Sequence, residues 1–138
     1  MMLMGLRRQV LDVSVQVYRT QMARGTSGNV SARDPESGMI AITPSAIPYE
    51  RLQEEDIVII DPNGELVYGH QRPSSETPMH TLVYRERQDV NGIVHTHSLY
   101  ATVFSVLNKE LPVVTVPMAA FGPVPVVPFR FPGSQELA

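Results

Sequence analysis

The chain has no cysteine and no tryptophan. Without cysteine there are no disulfides, no thiolate ligands and no thiolate nucleophile, and a reducing, cytoplasmic setting fits. Charge of neither sign dominates: the formal net charge is -3 and charged residues make up 18% of the sequence. That balance gives no basic face for nucleic acid. No apolar run is long enough to cross a membrane. The apolar start, Met1 to Gly5, meets Arg7 and Arg8 at once, too soon for a signal-peptide core. There is no repeat, no low-complexity tract and no linker. What is present is a 43% hydrophobic, 138-residue chain of single-domain size, with twelve prolines crowded toward its end.

Periodicity predicts mixed structure. Leu3, Leu6, Val10, Val13 and Val17 recur at spacings of three and four, an amphipathic helix that should end before Gly25. Gly25-Thr-Ser-Gly-Asn-Val-Ser31 reads as a glycine-rich turn entering a strand. Met39 to Thr43 reads as a strand, and Pro48 to Leu52 as a short helical turn. Ile57–Ile60 and Glu65–Tyr68 flank Asp61-Pro-Asn-Gly64, a hairpin signal. Ser74 or Ser75 is placed to cap a helix carrying Glu76, His80 and Tyr84. A buried strand at Gly92-Ile-Val-His95, a helix over Leu99–Leu107 and two short Val/Pro strands complete the chain. Hairpin-linked strands with interspersed helices imply an α/β domain with a mostly antiparallel sheet.

The chemistry concentrates in a few places. In a strand, residues i and i+2 share a face, so His95 and His97 point into one space. Two parallel imidazoles are half of a tetrahedral zinc site, or two unrelated polar residues at a strand end. Glu76 reads either as an acid compensating a helix dipole or as a general base beside the metal, as enolate chemistry requires. His80, four residues on, shares that helical face and reads as a packing or hydrogen-bonding residue before a ligand. His70 reads as exposed. Gly28-Asn29, Thr43-Pro-Ser45-Ala46 and Ser74-Ser75 offer neutral donors at turns, a strand end and a helix start. Together they can form a phosphate cradle with little Arg or Lys, although each alone is ordinary turn chemistry.

Four motifs occur in order: Gly-Thr-Ser-Gly-Asn-Val-Ser (25–31), Ile-Thr-Pro-Ser-Ala-Ile-Pro-Tyr-Glu (42–50), Pro-Ser-Ser-Glu (73–76) and His-Thr-His (95–97). From about Leu6 to its end the chain resembles the zinc-dependent class II aldolase/adducin family, closest to its fuculose-phosphate aldolase branch. The resemblance implies a three-layer α/β/α domain around an antiparallel sheet, and a cytoplasmic homotetramer with active sites near subunit interfaces. It implies a sugar-phosphate substrate and one Zn²⁺ per subunit. By position, His95 and His97 are the zinc ligands and Glu76 the catalytic acid/base. Gly28, Asn29, Ser45, Ala46, Ser74 and Ser75 line the phosphate site. Neither nucleic acid nor a membrane is an expected partner.

Departures accompany the likeness. Ala46 stands where the family usually has glycine, and Ala is unwelcome if the position needs positive φ. The family's third zinc histidine lies in a downstream His-Gly segment that these 138 residues do not reach, so the expectation is a single domain, 1–138, lacking the family's C-terminal part. The resemblance implies that the family's acid approaches the metal when substrate is absent, so Glu76 would fill in for the missing ligand. The alternatives are an L-ribulose-5-phosphate 4-epimerase, a branch that usually carries Asp where Glu76 stands, a sugar-acid phosphate decarboxylase, or a non-catalytic adducin-like interaction module.

Overall fold

A computed structural model of the chain describes residues 3–134 and 136–138, so Met1 and Met2 of the apolar start lie outside the described residues. Helix α1 spans Met4–Arg19. Its buried face is Arg7, Val10, Leu11, Ser14 and Val17, so the apolar stripe is rotated from the expected one and Val13 is exposed. Arg7 can lie inward because its Nε donates to the Ile57 carbonyl at 2.9 Å and its guanidinium covers the Tyr68 ring at 5.1 Å. The helix ends with Gln21 at φ 59, the Gln21 N–H donating to Tyr18 and the Met22 N–H to Val17. That pattern closes a helix C-terminus and usually takes glycine.

Among the described residues five strands follow: β1 Asn29–Arg33, β2 Ile40–Ile42, β3 Val58–Ile60, β4 Leu66–Tyr68 and β5 Gly92–His95. All pair antiparallel in the order β4-β3-β2-β1-β5. Short 3-10 turns at Tyr49–Arg51 and Glu54–Asp56 link β2 to β3. Alternation along the central strands feeds two cores. Val30, Ala41, Ile57 and Ile59 join Val10, Leu11 and Val17 of α1. Ile40, Ile42, Val58 and Ile60 join Tyr84 of helix α2, Thr77–Glu86, on the opposite face. The domain is therefore the expected α/β/α sandwich.

Three local expectations are corrected. Strand β5 is not buried: it pairs only with β1, and Val94 is 48% exposed. The two Val/Pro strands do not form. After helix α3, Leu99–Val106, the chain makes a 3-10 turn at Pro117–Ala120 and, among the described residues, no strand pairing beyond the isolated Leu111–Val124 bridge, since Pro112, Pro117, Pro123, Pro125 and Pro128 remove ladder donors. Glu76 is not in the first helical turn but precedes it, with φ -85 and ψ 11, and α2 begins at Thr77.

Candidate functional site

The site is built on the α2 side of the sheet, where β1, β5 and the start of α2 meet. Asn29 is directly opposite His95 across the β1–β5 ladder, and cross-strand partners share a face. The turn before β1 brings Gly28, at φ 77, so close to β5 that a Cβ there would lie 2.7 Å from the His95 carbonyl oxygen. A glycine is therefore required by both conformation and space. Strand β5 ends at His95, yet His97 remains on the same side. The two imidazoles stack with centroids 5.0 Å apart, and the His97 N–H is tied to the Met22 carbonyl at 2.9 Å.

The second half comes from the loop before α2. The Ser74 N–H donates to the Thr43 carbonyl, and the Ser45 N–H donates to Arg72. The Ser45 hydroxyl donates to the Pro73 carbonyl at 2.8 Å. These bonds dock residues 72–75 on the end of β2. The Ser74 hydroxyl accepts the Glu76 N–H at 3.2 Å, which turns the chain and sends the Glu76 side chain inward. Glu76 is 5% exposed and its Oε2 has no partner among the described residues; His95 Nδ1 is also buried without one. Unpaired buried polar atoms are uncommon in native proteins and mark a place where a ligand, ion or water belongs.

A cavity of about 520 Å³ joins these parts, lined by Gly28, Asn29, Ser45, Ala46, Ser74, Ser75, Glu76, His95 and His97. Every residue expected at the site is on that wall. The structure corrects how Ser45 acts, and takes the neighbouring Thr43 out of the cradle. Both donors of Ser45 are spent on the Arg72–Pro73 backbone, so Ser45 shapes the cradle instead of presenting a hydroxyl to it. Thr43 is buried and its hydroxyl accepts the Val30 N–H, away from the cavity. The backbone N–H groups of Ala46 and Ser75 are free donors on the wall, with no partner among the described residues. Ala46 sits at φ 63, the left-handed region that favours the glycine it replaces.

Burial, and then the neighbouring His97, hold His95 below its ordinary pKa while Glu76 pulls the other way. A neutral imidazole is the form that binds metal. His95 and His97 are suited to zinc, but no cluster of three His, Cys, Asp or Glu is placed to hold a metal among the described residues.

Sequence reasoning missed a buried network behind Asn29. Ser31 Oγ lies 2.7 Å from the Tyr84 hydroxyl and 2.6 Å from His80 Nδ1, and His80 Nε2 lies 2.5 Å from Asn29 Oδ1. His80 is fully buried, and burial followed by the charge of His95 pushes its pKa down to about 4. The available signal was His80 and Tyr84 four apart on one helical face, opposite Asn29 and Ser31 two apart on one strand face. His70 is exposed, as expected.

Residues 8–138 match the family profile described as the Class II Aldolase and Adducin N-terminal domain. The chain is 38% identical over 139 residues to a 5-deoxy-D-ribulose 1-phosphate aldolase of Bacillus thuringiensis serovar kurstaki, an alignment covering 100% of this chain and 65% of that one. It is 41% identical over 135 residues to the L-fuculose phosphate aldolase of Escherichia coli K12, covering 96% and 61% respectively. A solved L-fuculose 1-phosphate aldolase superposes with TM-score 0.90 at 36% identity, covering 96% of this chain and 63% of that one. The chain thus spans a little under two thirds of the length of these relatives.

Proposed function

Because the chain belongs to the class II aldolase and adducin family, we propose that its cavity is the substrate site of a zinc-dependent sugar-phosphate aldolase. The reaction is reversible cleavage of a ketose 1-phosphate, of the L-fuculose-1-phosphate type, to dihydroxyacetone phosphate and an aldehyde. The observation that carries this reading is the meeting of three things in one cavity. They are a buried carboxyl with an unpartnered oxygen, a stacked imidazole pair, and a far end furnished with neutral N–H donors.

In cleavage, the C4 hydroxyl gives its proton to the Glu76 carboxylate as that carbon becomes the aldehyde, and the C3–C4 bond breaks. The electron pair stays on the dihydroxyacetone phosphate fragment as an enediolate, and Glu76 returns a proton to C3. In synthesis Glu76 removes that proton. The N–H groups of Ala46 and Ser75 and the amide of Asn29 hold the phosphate and fix which carbon faces Glu76. Zinc, held by His95, His97 and a further donor, would supply a Lewis acid at the carbonyl end. A cytoplasmic homotetramer completes the reading. The apolar surface of α3 and the segment after it supports a subunit contact, with Tyr100 80%, Phe121 89% and Phe129 77% exposed.

The test uses a form extended to the length of the relatives, supplied with zinc and L-fuculose 1-phosphate, with dihydroxyacetone phosphate followed by a coupled reductase. Zinc-dependent release is expected. Epimerisation of L-ribulose 5-phosphate without triose release would transfer the site to the epimerase branch. A folded protein that turns over neither substrate would point to an interaction module.

A further inference from the structure

We propose that Tyr84, Ser31 and His80 form a positioning relay that fixes the amide of Asn29 with its NH₂ group toward the cavity, so that this point takes a phosphate oxygen. The argument is a count of hydrogens. Three contacts link four buried side chains in a row: Tyr84 to Ser31, Ser31 to His80 and His80 to Asn29. A neutral imidazole carries one N–H, and each hydroxyl carries one hydrogen.

Suppose the Tyr84 hydroxyl donates to Ser31, Ser31 donates to His80 Nδ1, and His80 Nε2–H donates to Asn29 Oδ1. Every hydroxyl and imidazole hydrogen then has an acceptor, and every contact has one donor. The reverse direction needs the Asn29 amide to donate to Nε2 and Nδ1–H to donate to Ser31. Ser31 and Tyr84 then share one contact and two hydrogens, so one buried hydroxyl hydrogen is left without an acceptor. Such an orphan carries the desolvation cost of a buried polar group with no hydrogen bond to offset it, which biases the row strongly to the first direction.

The consequence reaches the cavity. With Oδ1 engaged by His80, the Asn29 Nδ2 has no partner among the described residues, and Asn29 lines the cavity wall. Asn29 is therefore a donor to whatever binds there. The depressed basicity of His80 keeps the imidazole neutral at ordinary pH, which the count requires. The choice of phosphate as acceptor rests on the sugar-phosphate reading above, whereas the direction of the relay does not.

The experiment is long-range ¹H–¹⁵N spectroscopy of the histidine rings in the 138-residue chain, followed by titration with inorganic phosphate. The expected result is His80 as the Nε2–H tautomer. Ser31→Ala should give mixed tautomers and weaken phosphate binding about fivefold, the worth of one neutral hydrogen bond. His80→Gln keeps a donor for Asn29 Oδ1 and should bind phosphate within about twofold of the parent. An Nδ1–H tautomer in the parent chain overturns the relay, even if Ser31→Ala fails to fold. So does a folded Ser31→Ala with unchanged phosphate affinity, since a purely structural serine would alter stability alone. An Nε2–H tautomer in a chain that binds no phosphate would support the relay and sink the phosphate end of the functional reading.

Discussion

At the scale of single residues, the same buried imidazole that orients Asn29 makes the fold acid-sensitive. His80 has an ordinary value near 6.5 that burial lowers to about 4 in the folded chain. Between those values the unfolded chain holds more protons than the folded one, so stability is full above the window and falls as pH drops through it. The shift corresponds to roughly 3 kcal/mol at most. Urea titrations at steps from pH 7 to pH 4 should show that decline, and His80→Gln, which cannot titrate, should show a shallower one. Equal slopes for both would remove His80 as the cause. From sequence, His80 was legible as a hydrogen-bonding helix residue, but its partners were not. Asn29 and Ser31 lie 51 and 49 residues away, and only the packing of α2 on β1 brings them together. Glu76 was similarly half legible. Its identity marked it as an acid near a helix start; its burial depends on the Ser74 turn.

At the scale of elements, the contact between the 25–28 turn and β5 sets the spacing of the site. Gly28 lies against the His95 carbonyl, with Ala23 Cβ only 3.2 Å from where a Cβ would stand. A Gly28→Ala chain meets both a left-handed backbone and a backbone clash, so it should lose about 2–4 kcal/mol in urea unfolding. The resonances of His95 and its neighbours should move with it. A loss under about 0.5 kcal/mol with unmoved His95 resonances would mean that the turn and β5 are not in contact. Elements defined by local pattern were readable: α1, the hairpin around Asp61–Gly64 and α3 all form near their expected bounds. Elements that depend on a neighbour were not. Strand β5 carries an apolar Ile-Val pair yet lies at a sheet edge, and the valines after Leu111 alternate with prolines that leave no ladder to join.

At the scale of the whole molecule, one wall of the sandwich carries the cavity, and the residues after β5 leave much of their apolar surface uncovered. An antiparallel sheet with helices packed on it followed from hairpins and helices in the sequence, whereas the three layers and the residues of the cavity wall were what the family resemblance of four motifs implied. The division of labour within that wall did not, since it depends on which hydroxyls the backbone consumes. Among the described residues Glu76 is the group there with both burial and an unpartnered oxygen on the helix side, and the proposed chemistry passes through it. The decisive measurement is steady-state kinetics and zinc content of Glu76→Gln, in a form extended to the length of the relatives. General acid–base groups contribute about 10²–10⁴-fold, so kcat should fall by that range while KM stays within about tenfold and zinc is retained. His95→Ala should instead lose metal and activity together. A Glu76→Gln enzyme with near-normal kcat would reduce Glu76 to a residue that merely starts a helix, and would contradict the proposed site chemistry.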